Sequence, residues 1–191
     1  MSNGITVIKR NGDKDSLNLE KVHKMVEHAC EGLAGVSASQ VEISSGIQFF
    51  DGIKTSQIQD ILVKSASDLI SLENPNYQYV ASRLLLFDLR KQLNNHYEDH
   101  PFILDHVKKC ADLDVYDKTI IGKYTEEEWK QIDSYIDYGR DYLFSYAGMR
   151  QVVDKYLVQD RSSGELYETP QQMYITVSYT HLRAHETSEN R

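Results

Sequence analysis

Residues Ile5 to Lys21 read ITVIKRNGDKDSLNLEK, and the fold hangs on how this stretch is parsed. Ile5, Val7 and the aliphatic stem of Lys9 alternate with Thr6, Ile8 and Arg10, and Asn11-Gly12 then supplies two residues that tolerate positive φ. Alternation followed by such a pair predicts a β-hairpin with a tight two-residue primed turn. On the return arm Asp13, Lys14 and Asp15 precede Leu17, and Asn18 stands directly before the helical period Leu19, Val22, Val26, Ala29, Leu33. Its short side chain is suited to cap the helix that follows. The hairpin thereby delivers Lys9 and Arg10 near a helix start, with Lys21 one turn further on. Two cations beside unpaired helix N–H groups suit a polyphosphate. The plainer reading is a solvated pair of cations that keeps a sheet edge from aggregating, and the residues of the hairpin alone favour it.

Working outward, 191 residues at 40% hydrophobic composition suffice for one good core or two small ones. A formal net charge of −8 argues against non-specific nucleic-acid binding, whose sequence-independent part comes from Lys and Arg on phosphates. Any phosphate site must therefore be local. The two cysteines, Cys30 and Cys110, form no CxxC pair, which supports neither a disulfide framework nor a zinc ribbon and makes a reducing cytoplasm the expected setting. No segment approaches the ~20 apolar residues that span a bilayer, and the N-terminus lacks a signal-peptide core.

Further along, Ser37 with Gln40 predicts a capping box ahead of a short helix through Val41, Ile43, Ile47 and Phe50, ending near Gly52. Ile58, Ile61, Leu62, Leu69 and Leu72 predict a third helix capped by Thr55 or Ser56, and Asn74-Pro75-Asn76 breaks it. Val80, Ala81, Leu84, Leu85 and Leu89 rebuild a fourth, with Lys91 in its last turn, where the helix dipole alone favours a cation. Residues 5–95 thus read as a hairpin laid over four helices. After the polar boundary NNHYEDHPF come a short amphipathic helix at ILDHVKKCADL, a helix capped by Thr125, and a helical run from Gly139 to Lys155. Two short strands in YLVQDRSSGELYE and a helix opening at Thr169-Pro170 follow. The tyrosine stripe Tyr135, Tyr138, Tyr142, Tyr146 reads as packing. In the tail, His181 and His185 lie four apart but lack a following glutamate and a third ligand, so no metal site is expected. The tail itself reads as disordered or foreign to the fold.

The words VIKRNGDKDSLNLEKVHK, IQFFDGIKTSQIQD, NYQYVASRLLLFDLRK, YTEEEWKQIDSYID, RDYLFSYAGMRQ and KYLVQDRSSGELYETPQ together resemble the N-terminal part of the large (α) subunit of aerobic class I ribonucleoside-diphosphate reductase, over roughly residues 4 to 177. The resemblance implies a mainly α chain in three parts. Residues 1–95 would be an ATP-cone, a β-hairpin cap on a four-helix bundle that binds ATP as activator and dATP as inhibitor. Residues 96–177 would be the helical start of the catalytic domain, and 178–191 the tail.

The family's nucleotide contacts carry over onto Lys9, onto the run Asp15, Ser16, Leu17, Asn18, Leu19, Glu20 and Lys21, and onto Thr55 and Lys91. By the resemblance, Lys9, Arg10, Lys21 and Lys91 meet phosphates, Asp15 and Asn18 bond the adenine edge, and Val7, Leu17, Val22 and Phe49 line its faces. Asp15 stands where a glutamate is common, and Gln59 where a histidine near the sugar is common. The family's reacting cysteines and tyrosine relay match nothing here, so this chain alone is expected to be inactive. The implied partners are ATP and dATP, a second large subunit and a radical-generating small subunit, with no nucleic acid and no membrane. Two rival readings are a free-standing ATP-cone regulator, which would need a DNA-binding element, and a helical interaction module without ligand.

Overall fold

In the computed structural model, which describes residues 5–46, 48–98 and 100–178, β1 (Thr6–Ile8) and β2 (Lys14–Ser16) form the expected antiparallel hairpin, with Ile8 opposite Lys14. The turn differs from expectation. Gly12 N–H donates to the Lys9 carbonyl at 3.0 Å and Lys9 N–H to the Asp13 carbonyl at 2.8 Å, so the loop holds three residues, Arg10 to Gly12. Only Gly12, at φ 89°, takes positive φ, which is the pattern of a turn closed by a glycine bulge.

Asn18 caps α1 (Leu19–Cys30) as expected, its side-chain oxygen accepting from Lys21 N–H at 3.0 Å. α2 (Ala38–Gly46) is shorter than its apolar residues suggest, and Ile43 is exposed rather than packed. Ile47 lies outside the described residues. The Ser37–Gln40 box does not form. The Tyr77 hydroxyl enters between them, accepting from Ser37 N–H and donating to the Gln40 side chain.

A third strand, β3 (Ile53–Lys54), pairs parallel to β1, giving the sheet order β2-β1-β3. β3 runs directly into α3 (Thr55–Asp68), so Thr55 opens the helix instead of capping it. Leu72 falls beyond the helix end and is exposed. α4 (Tyr77–Asn94) carries the expected buried Val80, Ala81, Leu84 and Leu89, but Leu86 and Phe87 are fully buried too. Phe87 meets a distant segment. Tyr142 packs edge-on to Phe87 at 6.0 Å and to His28 at 6.1 Å, and Arg83 stacks over its ring at 5.1 Å.

The chain divides into two units between Asp88 and Leu89, with Tyr142–Arg150 belonging to the first. The second contains α5 (Ile103–Asp112), α6 (Glu126–Ser134) and a 3-10 turn at Lys118–Lys123, joined by a core of Ile103, Leu104, Val107, Ile120, Trp129 and Ile132. Thr125 and Glu128 complete a reciprocal cap on α6. The single helix expected from Gly139 to Lys155 is split into a 3-10 turn (Tyr138–Leu143) and α7 (Tyr146–Lys155). Ser145 makes the restart, its hydroxyl accepting from Gly148 N–H at 3.2 Å.

The expected terminal hairpin shrinks to one bridge, Gln159 to Leu166. There Asp160 N–H bonds the Glu165 carbonyl and Tyr167 N–H the Val158 carbonyl, while the Glu168 carboxylate takes Val158 N–H at 2.8 Å and Asp160 binds the turn amides of Ser162 and Ser163, so side chains supplement a short backbone pairing. A final helix, α8, covers 170–178 with proline at its start, and Gln172 accepts from Thr169 N–H. His181 and His185 lie outside the described residues. No helix among the described residues is long and apolar enough to cross a membrane.

Candidate functional site

At the Lys9 end of β1, two features meet. Lys9 Nζ lies 2.7 Å from the Asp15 carboxylate across the hairpin, with both side chains about half exposed (49% and 50%). The shared hydrogen bond raises the Lys9 pKa; the same bond, then Ser16 N–H and the charges of Lys9 and Lys21, hold Asp15 below its ordinary range. Lys9 and Lys21 therefore both act on one carboxylate. The second feature is the start of α3. Because Ile8 pairs with Lys54, Lys9 and Thr55 are the next residues on neighbouring strands. Lys54 offers no acceptor to the first-turn amides of α3, leaving N–H groups and the positive end of the helix dipole beside Lys9. The helix start that lies in register with Lys9 is thus that of α3. α1 begins at the other end of β1, where Leu17 N–H bonds Ile5.

The first turn of α1 opens onto a groove against α2. Leu19, Glu20 and Val22 from α1, Ile43 from α2 and Phe49 beyond it line a cavity of about 510 Å³. That volume is in the range of small-ligand sites. Its wall is fastened by His23, which lies 2.8 Å from Glu42 across the two helices and 3.2 Å from Glu27 on its own. The Glu42 hydrogen bond, then the charges of Glu42 and Glu27, raise the His23 pKa. His23 and Glu42 escaped the sequence reading, which placed Ile43 on the second helix but not at a site. The His23–Glu27 spacing was visible as an i, i+4 pair, but the partner on α2 needed the fold.

The remaining sequence candidates separate. Val7 is a core residue at 4% exposure and cannot line an open face. Arg10 turns to α4, where its guanidinium pairs with Asp88. Glu20 pairs with Lys24 at 2.9 Å. Gln59 is 3% exposed, and its side-chain amide donates to the Leu84 carbonyl at 2.8 Å, so it faces the bundle interior where the sequence reading expected it near a sugar. Lys91 belongs to the second unit, its ammonium 5.3 Å from the centre of the Tyr97 ring.

Neither cysteine is poised for chemistry: burial pushes both Cys30 and Cys110 thiols up to about 11, far from the lowered range of reactive thiolates. Among the described residues no group of His, Cys, Asp or Glu could hold a metal ion.

Residues 5–92 match the ATP cone domain family. Over 178 residues, 93% of its length, the chain is 47% identical to "Ribonucleoside-diphosphate reductase subunit alpha" of Haemophilus influenzae and 48% identical to "Ribonucleoside-diphosphate reductase 1 subunit alpha" of Escherichia coli strain K12. It is 40% identical over 175 residues to the subunit alpha of Enterobacteria phage T4. The chain spans 23% of the length of each of these relatives.

Proposed function

Because the chain belongs to the family of ribonucleoside-diphosphate reductase alpha subunits and carries an ATP cone domain at residues 5–92, we propose that its first unit senses nucleoside triphosphates, with ATP as activator and dATP as inhibitor. The observation that carries this reading is the Lys9–Asp15–Lys21 cluster, whose Lys21 stands on α1 next to Val22 of the apolar groove lined by Leu19, Val22 and Phe49. A bound polyphosphate gives Lys9 and Lys21 stronger partners than one exposed carboxylate, and the uncapped amides of α3 add donors to it. The groove offers apolar faces to a purine, and by the family resemblance Asp15 and Asn18 would supply its edge with an acceptor and a donor.

In the whole protein this site is proposed to control the reduction of ribonucleoside diphosphates to deoxyribonucleotides in the cytoplasm, through a second alpha subunit and a radical-generating small subunit. The reaction itself is assigned to parts of such proteins that these 191 residues do not span. The match to full alpha subunits runs far past residue 92, which favours this reading over a free-standing cone.

Calorimetry on the chain with ATP and with dATP tests the proposal. Both nucleotides are expected to bind. Lys9→Ala and Lys21→Ala should each weaken both by about tenfold, the order of one charge-assisted phosphate contact. A folded chain that binds neither nucleotide overturns the reading.

A further inference from the structure

Arg10 does not join Lys9 and Lys21. It leaves the hairpin loop to pair through Nη2 with the Asp88 carboxylate on α4, and Asp88 is only 8% exposed, so this contact is stronger than an ordinary surface ion pair. A second carboxylate shares the neighbourhood. Asp60 of α3 has its pKa raised first by burial and then by the charge of Asp88, while the charges of Arg10 and Arg150 lower it. Asp60 lies five residues beyond Thr55, about 7.5 Å along the helix from the uncapped first turn. The Arg10 guanidinium is therefore paired with one anion of the protein and acts on a second, on the helix whose first turn lies in register with its neighbour Lys9.

We propose that Arg10 is a latch with two alternative anionic partners, Asp88 in the effector-free protein and a phosphate group of a bound nucleoside triphosphate, and that Asp88 is the positioning residue that sets effector affinity by competing for it. The inference rests on the nucleotide-sensing reading of the first unit. Each effector that recruits Arg10 must first break the Arg10–Asp88 pair, so part of the phosphate attraction is spent on release. The exchange also ties occupancy of the site to the charge balance among α3, α4 and the Tyr142–Arg150 segment, since Asp60, Asp88 and Arg150 sit on those elements. Because the contact is with phosphate, the latch acts equally on ATP and dATP.

The test is a double-mutant cycle read by calorimetry with ATP and dATP. Asp88→Asn should raise the affinity for both nucleotides about threefold to tenfold, leave their ratio unchanged, and lose its effect in an Arg10→Ala background; Asp88→Glu, which keeps the charge, should restore parental binding. An equal gain with and without Arg10 would mean that Asp88 acts only as a nearby negative charge, and an unchanged or reduced affinity would remove the competition; either result overturns the latch. If Asp88→Asn folds poorly, the parent chain answers by NMR. The Arg10 Nε–H resonance should shift on addition of ATP and not of adenosine, and a resonance indifferent to saturating ATP overturns the proposal. A folded parent chain that binds no nucleotide removes the site reading and the latch together, a failure distinct from binding that ignores position 88.

Discussion

One ion pair from each unit shows two ways of handling charge. In the first, the candidate-site ion pair Lys9–Asp15 is half exposed, and even Arg10, with its buried partner, keeps about a third of its own side chain in solvent. In the second, Arg90 and Asp141 are paired at 3.2 Å with side-chain exposures of 2% and 0%. Arg90 also donates to the Tyr138 carbonyl, and Gln171 of α8 donates to the other oxygen of Asp141. Nearby, Tyr116 donates to the buried Glu168 and contacts His106 at 3.3 Å. The exposed Lys9–Asp15 pair is left within reach of water, where exchanging a partner costs little. Charges that fix geometry are sealed, where breaking them leaves an uncompensated ion.

The largest expected effect comes from breaking the sealed pair. Arg90→Ala should destabilise the protein by about 3–5 kcal/mol in denaturant titration, whereas Lys9→Ala should leave the unfolding midpoint nearly in place while weakening nucleotide binding. Comparable losses of stability from both would erase the contrast between the units.

A subtler expectation concerns pH. Burial raises the Asp141 pKa to about 6 against the attraction of Arg90, and burial, helped by Lys109, lowers His106 to about 4. Between those values the folded state holds the Asp141 proton more tightly than the unfolded chain does, so this group removes stability as pH rises from about 4 to 6. His106 does the reverse: the unfolded chain binds its proton more tightly, so stability grows as pH rises over about 4 to 6.5. Glu168, also raised by burial, adds to the Asp141 side. The slopes partly cancel, and a shallow stability profile is expected for the parent. His106→Gln should leave stability falling with pH across this window, and Asp141→Asn should leave it rising, each by roughly 2 kcal/mol or more given ~1.4 kcal/mol per shifted pKa unit. Identical profiles for parent and both variants would refute the assignment.

The smallest effect sharpens the boundary between binding and packing inside the first unit. Gln59→Ala should cost about 1–2 kcal/mol through the lost bond to Leu84, with the ATP-to-dATP affinity ratio unchanged. Gln59→His should also leave that ratio alone; a shifted ratio would return position 59 to the ribose.

Local signals survived the passage from sequence to structure better than paired ones. The hairpin, the Asn18 and Thr125 caps and the proline-led α8 each depend on residues within a few positions, and all formed. Some misses were local, as in the bulged hairpin turn and the Ser145 break, but others needed a partner from afar. Two residues, Ile53 and Lys54, carry too little alternation to announce a strand, and they become one only because β1 offers an edge. The Ser37–Gln40 box yields to a hydroxyl forty residues on, and Phe87 is buried with Tyr142 packed edge-on against it. At the candidate site the same division holds. The Lys9, Asp15 and Lys21 cluster lies within one short stretch and was legible, whereas the groove joins α1 to α2, and the commitments of Arg10 to Asp88 and Gln59 to Leu84 join residues 78 and 25 positions apart.

The helix α4 begins in one unit and finishes in the other, the division falling after Asp88 while the helical hydrogen bonds continue to Asn94. Asn95, at φ 66° and bonded to the Lys91 carbonyl, is where the backbone first leaves the helix. For modular exchange this sets the seam. A sensor transplanted onto another body, or removed from its own, must be cut after Asn95, because a join at the unit boundary would sever an intact helix in mid-turn. Inheritance of the sensor is thereby tied to inheritance of the last six residues of α4, whichever unit they serve.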